Sequence, residues 1–523
     1  MSWAPPLSLP HDFNAADYFV DRNLREGHGG NTAIECGDLK VTYGQLCTRV
    51  NRLGNGLKSL GVRIEERVLL LLLDTPEFAI SFFGAIKIGA VPVPVNTLLK
   101  PSDYEYLLNN SRARVAIVTD SLLPLLQAIP RKDLRHLETV VVVGGTVADT
   151  LCFDELVRDQ ATALEAAPTR KDDAAFWLYS SGSTGRPKAC VHLQHDMVVS
   201  TERYAKGILS ISESDRLFSV AKLFFAYGLG NSLTFPLSVG ARCVLESGRV
   251  TPQAVWRLLR DHGVTVFFGV PTLFAALLGD AGFPEPWDLP LRLCVSAGEP
   301  LPAEISRAWT ARTGVEIVDG IGSTEMLHIF VSNRPGAITH GATGHPVPEY
   351  QARIVSEDGA EVRPGDLGEL LVQGPSAALG YWNNPAKTAE TFVDGWVRTG
   401  DQFYQDGEGR FVCCGRTDDM LKVSGIWVSP AEVENVLIEH DAVQEAAVIG
   451  AVDGHGLMKT KAFIVLRPGA TPTADLGAEL QAYAKARLAP HKYPRQIEFV
   501  SHLPRTATGK VRRHVLRETP AAL

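Results

Sequence analysis

The sequence has no long hydrophobic run and no surplus of basic charge. Its longest aliphatic stretch, residues 68–73, is ended by Asp74, far short of the roughly 20 residues that a membrane-spanning helix needs. The 51 lysines and arginines are outnumbered by 59 aspartates and glutamates, which gives a formal net charge of -8. A nucleic-acid-binding or anionic-membrane-binding protein usually shows the opposite balance. We therefore expect neither a membrane nor a nucleic acid among its partners.

Paired cysteines are also missing. The eight cysteines are scattered, with no C-x-x-C pair and no regular spacing, so we expect free thiols in a reducing compartment. The amino terminus lacks a basic region followed by an apolar stretch, which argues against a secretory signal. The sequence predicts a cytoplasmic protein.

The length of 523 residues predicts more than one domain. From residue 67 to residue 145, short β-rich runs alternate with helix-length segments, a pattern typical of parallel strands joined by crossover helices. A second α/β stretch continues to about residue 362, and residues 365–415 are rich in turns and short strands. The predicted strands of the first stretch cover residues 68–73, 90–95, 115–119 and 140–143, and its predicted helices cover residues 77–87 and 102–110.

The last hundred residues follow a different pattern. The segment SPAE at residues 429–432 is a capping box with proline at the first helical position, so a helix should run to about Glu439. Strands at residues 446–450, 462–466 and 496–500 and a helix at residues 476–488 complete a small α+β unit. We place the boundary at Asp418. It divides the chain into a large multi-subdomain N-terminal α/β domain, residues 1–417, and a small C-terminal α+β domain, residues 418–523.

The segment SSGSTGRPK at residues 180–188 has the composition of a phosphate-binding loop. Glycines allow close backbone approach, successive amides form an anion nest, and hydroxyls and lysine add donors. An isolated Ser/Gly tract would more often be a solvated turn, but this ordered combination favours phosphate binding. It is not a Walker A motif. The predicted phosphate contacts are Ser180, Ser181, Gly182, Ser183, Thr184, Gly185 and Lys188.

This loop resembles the signature loop of the adenylate-forming superfamily, which comprises acyl-CoA synthetases, luciferases and peptide-synthetase adenylation domains. Each further segment could by itself be an ordinary polar turn, but six in one order over nearly the whole chain identify it as similar to this superfamily. The resemblance implies the adenylate-forming fold, with a mobile C-terminal domain. The other segments are SAGE at 296–299, DGIGSTE at 319–325, WVRTGD at 396–401, GRTDD at 415–419 and PRTATGK at 504–510.

The resemblance also implies roles for individual residues. Thr324 would meet the α-phosphate of ATP, Glu325 would help to hold Mg²⁺, and Lys510 would be the catalytic lysine. The implied adenine and ribose contacts are Ala297, Gly298, Glu299, Asp319, Gly320, Asp401 and Arg416. Asp418 would be the hinge about which the small domain rotates. The implied contacts of coenzyme A after that rotation are Lys422, Ser424 and Gly425, with an ordinary surface lysine as the alternative for Lys422.

One residue departs from the superfamily pattern. Ala189 stands where a glycine is usual. If that position required a positive φ, the alanine would cost roughly 1 kcal/mol or more.

The segments around the acid resemble those of the benzoate and hydroxybenzoate CoA ligases. KLFFAYGLG at residues 222–230 stands where the superfamily has its aromatic gate, and MLHIF at residues 326–330 follows Glu325. A short, flat slot of aromatic and branched side chains suits a single ring and leaves no room for a long alkyl chain. Phe224 and Phe330 are expected in the core. The predicted acid pocket consists of Phe225, Ala226, Tyr227, Gly322, His328 and Ile329.

Together these residues imply a two-step acid–thiol ligase. A carboxylate is a poor electrophile, so ATP first activates it as an acyl-adenylate, and the thiol of coenzyme A then displaces AMP. Lys510 is suited to join the two anions of the first step. The predicted ligands are ATP, Mg²⁺, coenzyme A and a small aromatic carboxylic acid. Benzoate is favoured, and 4-hydroxybenzoate or another substituted benzoate is the alternative.

Three functions of other classes compete with this one. An adenylation enzyme that loads a carrier protein would be expected to have an appended carrier module, which does not follow Lys510, although a separate carrier stays open. A luciferase-like oxidoreductase would need oxygen and an oxidisable substrate. A nucleotide sensor would need no acid-activating lysine. The sequence leaves the oligomeric state open, and a homodimer is one candidate.

Overall fold

The first sheet is the parallel one that the alternating pattern predicts. In the computed structural model, which describes residues 7–180, 186–285, 287–423, 426–452, 458–505 and 511–518, all its strands run parallel. Crossover helices Pro76–Lys87 and Pro101–Ser111 connect them. Pro76–Lys87 is apolar on almost every side, and its residues from Phe78 onward are buried. The strands, in spatial order, are Val91–Pro94, Arg67–Leu71, Val115–Thr119, Thr139–Val143 and Leu151–Cys152.

The second sheet is mixed, with a parallel centre and antiparallel margins. Helices Pro252–Asp261, Pro271–Leu278 and Ala303–Thr313 cross between its central strands. Because those strands are parallel, their carboxyl ends share one edge, which is where open α/β sheets bind ligands. The strands, in spatial order, are His345–Pro346, Ile329–Ser332, Ile317–Gly322, Leu293–Ser296, Val266–Gly269, Arg216–Ser219, Arg242–Leu245, Thr32–Cys36 and Leu39–Thr42.

Two antiparallel sheets complete the part before residue 417. One holds the hairpin Ala174–Ser180 and Lys188–Leu193, with Gly380–Tyr381 against its second strand. The other consists of Gln351–Val355, Gly368–Gln373, Trp396–Gln405, Phe392–Val393 and Phe411–Arg416.

The remaining helical segments are mostly short. Tyr43–Ser59 is the longest of them, and a capping box between Thr42 and Gln45 begins it. No helix among the described residues is long and apolar enough to cross a membrane. The short α-helices of this part are Arg22–Arg25, Leu123–Gln127, Phe153–Arg158, Asp196–Ser200, Ala226–Leu229, Phe235–Leu237 and Pro385–Thr391. The π-helical turns are Asp17–Asp21, Thr201–Lys206 and Gly230–Thr234. The 3₁₀ turns are His28–Gly30, Asp120–Leu122, Arg131–Asp133 and Thr417–Asp419.

The C-terminal part is the predicted α+β unit with its own core. Ser429 Oγ accepts a hydrogen bond from the Glu432 amide at 3.1 Å, so the serine half of the predicted capping box begins helix Pro430–Ile438, whereas the Glu432 carboxylate pairs with Lys492. Val433, Val448 and Leu480 are buried in the core of this unit. The predicted fold class is confirmed, while the boundary at Asp418 stays a prediction. The other elements are Leu421–Val423, Ile426–Val428, Val443–Val452, Met458–Leu466, Ala474–Arg487, Gln496–Phe499 and Arg513–Glu518.

Candidate active site

The predicted phosphate loop closes an antiparallel hairpin. Ser180 and Lys188 face each other in its ladder. Residues 181–185 lie outside the described residues. Lys188 Nζ is 4.9 Å from the centroid of the Tyr381 ring, a cation–π distance. Ala189 is a buried ladder residue opposite Tyr179, and its φ is not positive. The alanine at this position therefore carries no backbone cost.

The turn that carries Thr324 and Glu325 is fixed from outside. The three successive carbonyls of residues 324–326 accept hydrogen bonds from His192 Nε2, the Ala378 amide and Ser376 Oγ, each at 2.8 Å. Three anchors on three consecutive peptide groups leave this turn little freedom. The backbone of the two predicted catalytic residues is thus held by contacts within the chain.

The Glu325 carboxylate is oriented by a residue that the sequence did not indicate. Tyr381 Oη donates to Glu325 Oε1 at 2.7 Å, while the ring of Tyr381 faces Lys188. Tyr381 therefore joins the predicted metal residue to the phosphate loop. The two groups are 56 positions apart in the chain, so no local spacing could have linked them.

The donors present suit a magnesium ion that is shared with a substrate. Mg²⁺ commonly takes one or two carboxylates together with substrate phosphates and water. Glu325 is a half-buried, oriented carboxylate beside the phosphate loop. Within the described ranges, no group of three or more His, Cys, Asp or Glu side chains could hold a metal. Glu325 therefore fits the predicted metal, for which phosphate oxygens of a bound substrate would supply other contacts.

The predicted adenine segments are neighbours at the carboxyl edge of the second sheet. Ser296 pairs with Asp319 in the parallel ladder, so Ala297, just after its strand, and Gly320, within the neighbouring strand, come next to each other. Gly298 has φ +93 and is exposed, a conformation that glycine adopts freely. Burial raises the pKa of Asp319 well above its usual range. The backbone at Gly298 could pack against the flat adenine base, and the buried carboxyl of Asp319 lies on the neighbouring strand.

The two predicted ribose contacts are opposite each other on neighbouring strands. Asp401 pairs with Arg416 in the antiparallel ladder. Arg416 Nη1 donates to Asp401 Oδ1 at 3.2 Å and to the Thr399 carbonyl at 2.8 Å. The structure thus brings together two residues that lie in separate sequence motifs.

His328 is the centre of an aromatic cluster in the predicted acid pocket. Its ring centroid lies 4.5 Å from that of Phe235 and 5.5 Å from that of Tyr204, and Nε2 is 3.1 Å from Asn231 Oδ1. Burial lowers the pKa of His328 to about 3, so the imidazole is neutral at physiological pH. A Cβ at Gly230 would lie 2.4 Å from His328 Cδ2. This close approach requires glycine at position 230.

Three residues of the predicted gate segment, residues 222–230, are partly exposed. Phe225, Ala226 and Tyr227 are half-buried, whereas Phe224 is buried, as predicted. Tyr227 also reaches the aromatic cluster, with its ring centroid 5.6 Å from that of His328. The structure therefore brings the two predicted halves of the acid pocket together.

Two further residues of the predicted acid pocket lie in a strand pair. Gly322 pairs with Ile329 across the ladder, and Ile329 is buried while Gly322 is exposed. A Cβ at Gly322 would lie 2.5 Å from the His328 carbonyl oxygen, so only glycine fits here. Phe330 is fully buried, as predicted.

A buried acid lies behind the gate segment. Both carboxylate oxygens of Asp74 are close to the Leu223 amide, at 3.2 and 3.4 Å. Burial raises the pKa of Asp74 to about 6, and the charge of Lys222 and the Leu223 amide oppose that rise. The sequence showed Asp74 only as the end of an aliphatic run. Its contact with the gate depends on a pairing of residues 149 positions apart.

We expect Asp74→Asn to stabilise the protein at pH 8 and to have a much smaller effect near pH 4.5. A carboxyl with a raised pKa binds its proton more tightly in the folded state, so its contribution to stability falls as pH rises from about 4 to about 6. The amide has no charge to bury and can still accept from Leu223. The upper limit of the gain is about 3 kcal/mol.

Thermal unfolding of both proteins at pH 4.5, 6 and 8 measures this difference. Asp38→Asn removes the same charge in an exposed turn and should show no pH-dependent difference. An Asp74→Asn protein destabilised equally at all three pH values would contradict the prediction.

Several predicted residues cannot be placed. Ser181, Gly182, Ser183, Thr184, Gly185, Ser424, Gly425 and Lys510 lie outside the described residues. For Asp418 and Lys422 the backbone alone is described, in the turn Thr417–Asp419 and the strand Leu421–Val423. Their functional roles stay predictions.

Two family models match this chain. Residues 20–382 match the family of AMP-binding enzymes, and residues 432–510 match the C-terminal domain of AMP-binding enzymes. The chain is 53% identical to a benzoate–CoA ligase of Thauera aromatica over 98% of this chain and 97% of that protein.

Two solved structures are similar over nearly the whole chain. A benzoate CoA ligase from Burkholderia xenovorans LB400 has a TM-score of 0.90 and 48% identity, covering 97% of this chain and 100% of that one. The anthranilate CoA ligase AuaEII in complex with anthranoyl-AMP has a TM-score of 0.94 and 46% identity, covering 97% of each chain.

Proposed function

The chain belongs to the family of AMP-binding enzymes, and from that premise we propose that it is a benzoate–CoA ligase. It joins benzoate to coenzyme A and converts ATP to AMP and diphosphate. The observation that carries this proposal is the aromatic cluster around His328, a residue two positions after the fixed turn of residues 324–326. This turn connects the paired strands Ile317–Gly322 and Ile329–Ser332, which carry Gly322 and Ile329 of the predicted acid pocket.

The pocket suits an uncharged ring whose carboxylate points toward the turn. Its wall residues are apolar or aromatic, and the buried histidine is neutral. Phe235 and Ile329 are fully or almost fully buried and already packed, so they cannot move aside for a longer acid without creating strain. A benzoate ring would be bound by shape and by aromatic contact.

In the first step a benzoate oxygen attacks the α-phosphorus of ATP, and the bond from that phosphorus to the bridging oxygen of diphosphate breaks. We propose that Thr324 donates a hydrogen bond to the α-phosphate and that Lys510 brings the two anions together. Residues 180–188 would hold the β- and γ-phosphates. Magnesium, when bound, would offset the negative charge of those phosphates, and Glu325 is the residue that would hold it.

In the second step the thiol sulfur of coenzyme A attacks the acyl carbon. The bond from that carbon to the AMP oxygen breaks, the thiol proton is lost, and benzoyl-CoA and AMP are released. We propose that the small domain rotates about Asp418 between the steps, which would bring Lys422, Ser424 and Gly425 to the acyl-adenylate. The two reactions can then use one site without competing for the same space.

An AMP-release assay that depends on coenzyme A tests this function. The acids are benzoate, its hydroxy and amino isomers, cyclohexanecarboxylate and octanoate. We expect benzoate to have the highest kcat/KM. AMP release that needs a carrier protein would instead indicate a carrier-loading adenylation enzyme. Product formation that needs oxygen would indicate a luciferase-like oxidoreductase. A preference for 4-hydroxybenzoate would keep the reaction and change the substrate.

We expect Ala226→Leu to lower kcat/KM for benzoate by about 5- to 150-fold. The larger side chain would overfill the slot, at a typical cost of roughly 1 to 3 kcal/mol. ATP affinity should not change, because the phosphate loop is elsewhere. Steady-state kinetics with each substrate varied in turn measure both effects.

Ala163→Leu is the matched control, since Ala163 is exposed in the connector before the phosphate hairpin. It should leave both substrates unaffected. Altered ATP affinity with unchanged acid selectivity in Ala226→Leu would assign this segment to the nucleotide side of the cleft.

A further inference from the structure

We propose that His192 and Asp196 form a buried positioning pair for the adenylation step, through the hydrogen bond from His192 to the Thr324 carbonyl. The pair makes no contact of its own with the reacting atoms. It acts by holding the turn of residues 324–326 at a set distance from the phosphate loop. This inference rests on the proposed function.

The pair lies between the two motifs that it connects. His192 belongs to the strand Lys188–Leu193, whose first residue ends the phosphate loop, and Asp196 begins the helix Asp196–Ser200. Both side chains have no solvent exposure. His192 Nδ1 is 2.8 Å from Asp196 Oδ2, and Nε2 is 2.8 Å from the Thr324 carbonyl oxygen. One rigid ring therefore spans the gap between the phosphate hairpin and the catalytic turn.

The partners determine where the ring carries a proton. A carbonyl oxygen can only accept, so Nε2 must be the donor to Thr324. Asp196 Oδ2 also accepts from the Leu193 amide at 3.0 Å.

The orientation of the ring is fixed as well. Phe176 stacks on His192, with ring centroids 5.1 Å apart and planes 17° apart. The Leu193 amide fixes Asp196, and Asp196 fixes the Nδ1 side of the ring. These contacts leave His192 one orientation, in which Nε2 points at Thr324.

His192 differs from the other anchors of the turn in what it connects. Ala378 and Ser376 tie the turn to the segment before the strand Gly380–Tyr381. His192 ties it to the strand that holds Lys188. The α-phosphate contact and the β- and γ-phosphate contacts lie on these two separate pieces of chain. A positioning error of about 1 Å between such groups can cost roughly 10²-fold in rate.

The test compares His192→Asn with His192→Gln. Both put an amide in the same buried place, but only glutamine reaches the former position of Nε2 and can still donate to Thr324. We expect His192→Asn to slow benzoate-dependent ATP–pyrophosphate exchange by roughly 10- to 100-fold, and His192→Gln to recover most of that loss. The KM for benzoate should change by less than about twofold, because the acid pocket is untouched.

Two further measurements separate positioning from general damage. Conversion of supplied benzoyl-adenylate to the thioester should stay near the wild-type rate in both variants. His262→Ala, which removes a 2.7 Å contact to the buried Glu35 at the opposite edge of the second sheet, should lower thermal stability but keep the exchange rate.

The outcomes are distinguishable. Equal exchange rates in His192→Asn and His192→Gln, or equal losses in both half-reactions, would overturn the positioning role. A wild-type protein that shows no exchange with any aromatic acid would instead overturn the proposed function.

Discussion

Lys510→Ala should lower benzoate-dependent diphosphate release by roughly 10³-fold, the loss expected when one preorganised charge is removed from a phosphoryl-transfer site. Only the first step must join two anions, the benzoate carboxylate and the α-phosphate of ATP. The second step brings a thiol to an acyl-adenylate, from which the carboxylate charge has gone. Thioester formation from supplied benzoyl-adenylate should therefore stay within a few-fold of the wild-type rate.

Separate assays of the two half-reactions measure this difference. Lys492→Ala is a useful control, because this lysine of the same domain pairs with Glu432 at 2.7 Å and its loss should slow neither step strongly. Equal losses in both half-reactions of Lys510→Ala would indicate that the lysine supports the fold rather than adenylation.

Asp418→Pro should leave adenylate formation largely intact and lower thioester formation by at least about 10²-fold. Proline fixes φ near -65°, and the backbone at residue 418 lies in the 3₁₀ turn Thr417–Asp419, where φ values of about that size are typical. A rotation about this residue would need φ or ψ to change, and proline removes part of that freedom. The expected result is an enzyme that accumulates bound benzoyl-adenylate.

Single-turnover kinetics with and without coenzyme A would show the block. Asp418→Ala removes the same carboxylate but leaves φ free, so it should carry out both steps. If overall turnover of Asp418→Pro equals that of Asp418→Ala, either the hinge is at another residue or no rotation is required.

The secondary structure was predictable because it depends on short-range patterns. Strand Val115–Thr119 has the predicted bounds, and helix Pro76–Lys87 begins one residue before the predicted start. The cap at Ser429 is another local signal, since the hydroxyl and the amide that it accepts from are three positions apart. Sequence periodicity and caps act within a few residues, which is why they can be read along the chain.

Part of the candidate site was also predictable, but by resemblance rather than by spacing. Thr324, Glu325 and Asp401 are in motifs whose order matches a known superfamily, and the structure places Glu325 beside the phosphate hairpin. The sequence left open whether Ala189 strains the backbone, and its position in the strand ladder shows that it does not. Only the strand geometry at that position shows that alanine is acceptable.

His192, Tyr381 and Asp74 were not predicted as parts of the site. Each contacts its functional neighbour across a long separation in sequence: 132 positions from His192 to Thr324, 56 from Tyr381 to Glu325 and 149 from Asp74 to Leu223. A lone histidine, tyrosine or aspartate on a strand or in a turn gives no local sign of such a partner. These contacts exist only after strands distant in sequence have become neighbours.

By itself, the sequence determined three features: the α/β architecture, the different α+β pattern of the C-terminal unit, and the phosphate-loop composition of residues 180–188. Each depends on hydrophobic periodicity, helix caps or glycine content, which act over only a few residues. The tertiary structure alone decided which groups hold the turn of residues 324–326 and which side chains surround His328. Parallel strands bring their carboxyl ends to one edge regardless of the length of chain between them, so the identity of the neighbours at that edge is a property of the sheet order and not of the local sequence.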